Sequence, residues 1–230
     1  MQIQRIEPSD EREELSGGRA SCPSELGELR YRTLLGRRAW QALAPDVRRR
    51  FSKRLAAGEN TVYSGHIEET VMSRAGWLLA QLCRLIGAPL PLENGGQGKP
   101  AVVSVTEDRQ GGQFWTRHYG RDRGFPQIVH SAKRFSGPTG LEEYIGFGIG
   151  IALDIRERGG ALIFVSRSYF FRLFGWRIGL PAFLSPGRLE VGHHDRGCGT
   201  FAFTLDLVHP VLGNLIRQTV IFRDTKETRP

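Results

Sequence analysis

Long apolar runs are missing from this 230-residue chain. The most hydrophobic stretch, 75–92, is broken by Gln81, Arg84, Pro89 and Pro91, so nothing in it approaches the ~20 consecutive apolar residues that span a bilayer. It predicts a buried helix and no transmembrane segment. The basic-then-apolar order of a secretory leader is also missing, since Met1 to Asp10 carries Glu7 and Asp10 instead. The expected location is cytoplasmic. Cysteine is scarce: Cys22, Cys83 and Cys198 lie far apart, with no Cys-x-x-Cys spacing and no histidine at ligand intervals. That excludes a zinc site and a disulfide framework and predicts reduced, structural thiols.

Lysine is scarcer still for so basic a chain. Of 32 basic residues only Lys53, Lys99, Lys133 and Lys226 are lysines, an arginine excess that genome composition produces as readily as anion recognition does. The formal charge of +8 is uneven: Met1 to Arg30 holds four arginines against seven acids, and the rest of the chain is strongly positive. Arg30, Arg32, Arg37, Arg38, Arg48, Arg49, Arg50, Lys53 and Arg54 form the largest basic cluster. Such helices contact anionic lipid or nucleic acid, but with no nucleic-acid motif or stacking platform beside them the commoner outcome is a solvated face. The expectation is no specific nucleic acid and at most weak contact with anionic surfaces.

What is present is enough apolar and aromatic material, 13 Phe, 4 Trp and 5 Tyr, to bury a core. Residues 1–29 are polar and aperiodic and read as a flexible tail, residues 30–223 as one domain and 224–230 as a C-terminal tail. Trp40, Leu43, Val47, Phe51 and Leu55 recur at helical spacing around Pro45, predicting helices over Tyr31–Leu43 and Pro45–Ala56. Thr61–Val71 alternates as a strand, and Ser73 is placed to cap a helix running to Ile86. After the glycine loop 94–98 the chain turns to short β-type runs: 101–107, 113–120, 127–135, 141–145, 147–156, 162–170, 188–194, 200–208 and 215–222. Their short links impose antiparallel neighbours; only 172–187 is a long connection. The predicted fold class is therefore α+β, with N-terminal helices packed on a curved antiparallel β-meander that is either a half-barrel or a closed barrel.

Residues 146–152, Gly-Phe-Gly-Ile-Gly-Ile-Ala, lack the third glycine and following helix of a dinucleotide loop. Their alternation instead suggests a bent strand with Phe147, Ile149, Ile151, Leu153 and Ile155 on one face. No serine or cysteine sits in a nucleophile elbow, and no cofactor is expected. On strand 113–120 the period of two puts Trp115, Arg117 and Tyr119 on one face. Directed outward, as is commoner, this is a cation–aromatic patch; directed inward, the guanidinium meets an anion, either a ligand's or a protein glutamate's. Glu142 and Glu143 face opposite ways, so one can pair with an inward arginine while the other is solvated. His193 and His194 are separated by the same parity and form no chelate. His209 follows Asp206 by three residues, a spacing that could set an imidazole against a carboxylate.

Several segments together resemble a known family: Leu34-Leu35-Gly36 with Trp40, Pro45, Val47-Arg48 and Phe51; Gly87-Ala88-Pro89; Phe114 to Arg117; Phe125-Pro126; Glu142 to Gly146; Leu180-Pro181; and Phe201 to Gly213. As an ordered set over about Arg30 to Phe222 they are similar to the bacterial domain-of-unknown-function family numbered 4166. The resemblance implies no activity and carries over no catalytic residue. The leading expectation is a non-catalytic module for a small apolar or acidic ligand, with Trp115, Arg117, Tyr119, Glu142, Glu143 and His209 as its candidate residues. The alternatives are a cofactor-independent isomerase, cyclase or dehydratase, and peripheral membrane or partner association through the basic helices.

Overall fold

The computed structural model describes residues 28–55 and 60–224. The readings of most of the N-terminal tail, of Cys22 and of the last six residues lie outside the described residues. Glu28, placed in the tail by sequence, is buried: its N–H donates to Ser52 O (2.7 Å) and its carboxylate accepts from Arg30.

Three short helices open the domain: α1 (Arg30–Leu35), α2 (Arg37–Ala42) and α3 (Pro45–Phe51). Gly36, at φ 81°, splits the first predicted helix in two, and Pro45 starts the third from a first-turn position where its missing N–H costs nothing. Strand β1 (Asn60–Met72) leads to α4 (Arg74–Leu82), whose N-terminus is capped as expected by Ser73 Oγ accepting from Gly76 N at 3.1 Å. A 3-10 turn, Cys83–Ile86, extends it. The remaining strands are β2 (Pro100–Glu107), β3 (Gln113–Tyr119), β4 (Gln127–Arg134), β5 (Glu142–Gly146), β6 (Ile149–Arg158), β7 (Ala161–Leu173), β8 (Trp176–Gly179), β9 (Arg188–Gly197), β10 (Thr200–His209) and β11 (Gly213–Arg223).

All pairings are antiparallel, in the order β6-β5-β4-β3-β2-β1-β11-β10-β9-β7, and β7 pairs back onto β6. Ten strands thus close a barrel, and β8 hangs outside the ring on β7. This corrects the α+β expectation. The protein is predominantly β, and its helices sit over the barrel's ends because a closed ring offers no open inner face for a helix layer to cover.

The long strand β7 serves two partners along one edge. Leu162–Val165 pair with β9, and Phe170–Leu173 pair with β8. Past Val165 the wall is completed by the segment 180–187, tied on by Leu180 N to Tyr169 O (2.8 Å), Tyr169 OH to Gly187 O (2.9 Å) and Leu189 N to Ser166 Oγ (2.9 Å). The stretch read from sequence as a long connection therefore holds β8 and a 3-10 turn, Ala182–Leu184.

Two further expectations change. Phe147 lies in the β5–β6 turn rather than in a strand, and a register shift between Ala152 and Leu153 breaks the predicted alternation of β6. Gly150 instead allows a close approach, since a Cβ there would come within 2.2 Å of the Phe170 ring. The helix expected to be buried presents Ala75, Gly76, Leu79, Ala80, Cys83 and Ile86 to the barrel, whereas Trp77, Leu78, Leu82 and Leu85 are exposed. No helix among the described residues is long and apolar enough to cross a membrane.

Candidate functional site: a cavity with a charged floor

Barrel closure decides which way β3 faces. Gln113, Trp115, Arg117 and Tyr119 are buried inside, and Phe114, Thr116 and His118 lie outside. The outward patch that statistics favour for such a face is overturned. An open sheet has a solvated side for an arginine, whereas this strand is paired on both edges inside a closed ring.

The interior has two halves. Under α1–α3 it is filled by an aromatic cluster in which Tyr31, Phe51, Trp115, Phe164 and Phe203 contact one another or the His193 ring, mostly edge to face. Under α4 it is a cavity of about 410 Å³. Ala75, Leu79 and Cys83 roof this cavity, aliphatic side chains such as Val129, Ile151, Leu205 and Leu207 line it, and Leu184, Ser185 and Pro186 of the 180–187 segment form one side.

Between the halves lies a group of ionised side chains. Arg117 and Glu143 line the cavity with Ser131; Lys133, directly across the β4–β5 ladder from Glu143, lies beneath them. Lys133 Nζ is 3.2 Å from Glu143 Oε2, Arg117 Nη2 is 3.6 Å from Glu143 Oε1, and Arg117 Nη1 donates to Ser131 Oγ at 3.1 Å. Burial alone would raise the Glu143 pKa. The Lys133 and Arg117 charges, with hydrogen bonds from Ser131 and Lys133, outweigh it and bring the carboxyl to about 2. Burial lowers the pKa of the Lys133 ammonium, with Glu143 opposing, and that side chain lies against the Trp115 and Phe164 rings, 4.8 and 5.1 Å from their centroids. One carboxylate therefore answers two cations. Arg117 Nε, also buried, has no acceptor among the described residues. His193 lies below this group, and burial, then Lys133, Arg50 and Arg117, hold its pKa well below the usual imidazole range.

Of the residues singled out by sequence, Arg117, Tyr119, Glu143 and His209 line the cavity, and Trp115 lies under it. Glu142 does not take part. It is the member of the Glu142/Glu143 pair that faces away from Arg117, for which solvation was the expectation, but it is buried on the outer side of β5, where it accepts from Ser136 Oγ (3.2 Å) and Tyr144 OH (2.8 Å) and pairs with Arg177 (3.2 Å). The pairing of His209 with Asp206 is also overturned. Asp206 binds Arg217 at 2.8 Å, while His209 Nδ1 accepts from the N–H groups of Val211 and Leu212 at 3.2 Å each, which leaves Nε2 to carry the ring proton at the cavity's rim. His193 and His194 do face opposite ways: the first is buried inside and the second meets Thr204 Oγ1. Sequence reasoning missed Lys133, Ser131, Tyr169 and Gln218. Among the described residues no cluster of His, Cys, Asp and Glu is arranged to hold a metal ion.

The basic N-terminal cluster is less free than it looks in sequence. Arg30 pairs with Glu28, Arg54 with Glu107, and both Arg49 and Arg50 with Asp224.

The chain matches, over residues 43–222, the family model described as Domain of unknown function (DUF4166), and belongs to that family. No curated protein and no solved structure matches it.

Proposed function

We propose that this member of the family binds a small amphipathic acid inside its barrel, the apolar part in the cavity under α4 and the acidic group at Arg117. The single observation that carries the reading is the composition of the cavity. About 410 Å³ of largely aliphatic space lies within the range of small-molecule pockets, roughly 300–1,000 Å³, and it ends on a floor where Arg117 and Lys133 outnumber Glu143. An apolar space of this size forgoes dispersion contacts that a ligand would restore, and an excess cation in a low-dielectric interior attracts an anion strongly. The 180–187 segment, held to β7 by a few bonds rather than a full ladder, is where a ligand would enter.

A cofactor-independent enzyme needs a proton donor and acceptor converging on one substrate. Glu143, held ionised by Lys133 and Arg117, suits binding rather than proton transfer.

The test is native mass spectrometry of the purified protein for copurifying acids, followed by titration with a fatty acid and with the alcohol of the same chain length. Arg117→Met should weaken acid binding by about 1.5–3 kcal/mol, the usual worth of a charged hydrogen bond, and leave the alcohol unaffected. Equal binding of acid and alcohol by the unaltered protein would remove Arg117 from the site, and binding of neither would remove the ligand.

A further inference from the structure

Most of the large apolar side chains exposed among the described residues gather at one end of the barrel. Antiparallel pairing sends the connections β3–β4, β5–β6, β7–β8 and β10–β11, together with α4 and the 180–187 segment, to one end of the barrel. Each carries an exposed large apolar residue: Phe125 (91 %), Phe147 (73 %), Phe174 (93 %) with Trp176, Val211 with Leu212, Trp77 with Leu85, and Phe183 (82 %). Among the described residues the turns at the other end, 108–112, 135–141, 159–160 and 198–199, have none; the exposed large apolar residues near that end are Leu29 and Leu34, on α1 and just before it, and Val62 and Phe114 on the wall at the starts of β1 and β3. Single surface apolar residues need no explanation, but so many gathered at one end do.

Backbone geometry argues that two of these side chains are there for themselves. Phe147 and Phe174 have φ of 48° and 47°, a left-handed conformation that glycine and asparagine adopt with far less penalty. Phe174-Gly175 has positive φ at both central positions of a hairpin turn, the place where Asn-Gly is preferred.

Charge selects the partner. The connecting segments at this end, 73–99, 120–126, 146–148, 172–187 and 210–212, hold seven basic residues against Glu93 and Asp122; Lys99 and Arg121 pair with those two acids and Arg177 with Glu142, while Arg84 beside Leu85, Arg123 near Phe125 and Arg172 near Phe174 flank the apolar tips. Separate protruding points, two of them tryptophan and several flanked by arginine, match a bilayer interface, where indoles sit at headgroup depth and guanidinium groups meet lipid phosphate. The barrel wall is of another kind: its outer surface bears the pairs Asp206–Arg217, Asp154–Arg167 and Arg158–Glu190, where a spanning barrel would carry an apolar band.

We infer that the α4 end of the barrel docks on anionic membrane, with Phe147, Phe174, Trp176 and Phe183 entering the headgroup–acyl boundary. This contact is at the end opposite α1–α3 and does not depend on their arginines. It also does not depend on a ligand, although the cavity's Leu184 and Leu212 belong to the same rim.

The experiment is sedimentation of the full chain with vesicles of phosphatidylcholine alone and of phosphatidylcholine with phosphatidylglycerol. The readouts are the bound fraction and quenching by brominated lipid of the tryptophan fluorescence, to which Trp176 and Trp77 are the exposed contributors. Phe147→Asn with Phe174→Asn should retain the fold, because asparagine suits the left-handed positions; with Phe183→Ser added, partition onto anionic vesicles should fall roughly ten-fold or more. Substituting Arg32, Arg37, Arg38 and Arg48 by Gln at the other end should reduce partition far less. The proposal is overturned if the unaltered protein ignores anionic vesicles, if the arginine variant loses binding while the aromatic variant keeps it, or if the unaltered protein sediments as a dimer that the aromatic variant dissociates, which would assign this surface to a second copy of the chain.

Discussion

Lys133 and Glu143 are direct partners across the β4–β5 ladder, both pointing into the barrel, with Nζ 3.2 Å from Oε2. The pair is almost completely removed from water, with side-chain exposures of 2 % and 10 %. Removing one partner of a buried ion pair is costly because the other charge remains. Lys133→Met should therefore destabilise the protein by about 3–5 kcal/mol, and Glu143→Gln added to it should restore part of the loss. Urea unfolding of the two single variants and the double variant checks this; a Lys133→Met loss below about 1 kcal/mol would show that Arg117 alone satisfies the carboxylate.

Acid should act on the protein in two stages. The folded-state pKa of His193 is lowered, so the stability that depends on its neutral form is complete above the unfolded value, ~6.5, and declines as pH falls below it. The folded-state pKa of Glu143 is about 2, so its contribution is complete above the unfolded value of ~4.5 and is lost as pH falls from there to about 2. His193→Gln should flatten the decline between about pH 7 and about pH 5 and leave the lower stage in place, as followed by urea midpoints across that range.

Overpacking a filled core costs about 1–3 kcal/mol. Val129→Phe and Leu205→Phe direct new rings into the cavity under α4, so each should change stability by less than about 1 kcal/mol while displacing any copurified ligand. Thermal melts with native mass spectrometry of the same samples decide it. A full overpacking penalty would mean that the space closes up in solution.

Cys83 lines the cavity, and burial raises its thiol pKa, whereas Cys198 is exposed. Alkylation followed by peptide mapping should modify Cys198 first and Cys83 slowly, and a bound acid should slow Cys83 further without affecting Cys198.

The strands were legible in sequence because turn residues punctuate them. Barrel closure was left open because it rests on β1 meeting β11 and β7 meeting β9, pairings that no local pattern encodes. Facing was the harder problem. On β4 the inward positions are Gln127, Val129, Ser131 and Lys133, and the outward ones Ile128, His130, Ala132 and Arg134. The inner face is thus no more apolar than the outer, and alternation gives the wrong sign or none. Period two did group Trp115, Arg117 and Tyr119 correctly and did separate Glu142 from Glu143. It could not foresee that Arg177, arriving from the outlying β8, would bury Glu142. The one signal for Lys133 was its rarity as a lysine in an arginine-rich chain.

The β1–β11 ladder joins Ser64 to Arg223 and Met72 to Ile216, and Asp224 just beyond it is gripped by Arg49 and Arg50 of α3. During synthesis the ring therefore stays open until nearly the whole domain has left the ribosome, leaving the edges of β1 and β10 unpaired and open to association in the meantime. The same neighbourhood brings the two ends of the domain together, so cutting the backbone in the 159–160 turn and linking the original ends would give a chain in which β1 and β11 are made consecutively and closure falls to the β6–β7 hairpin instead.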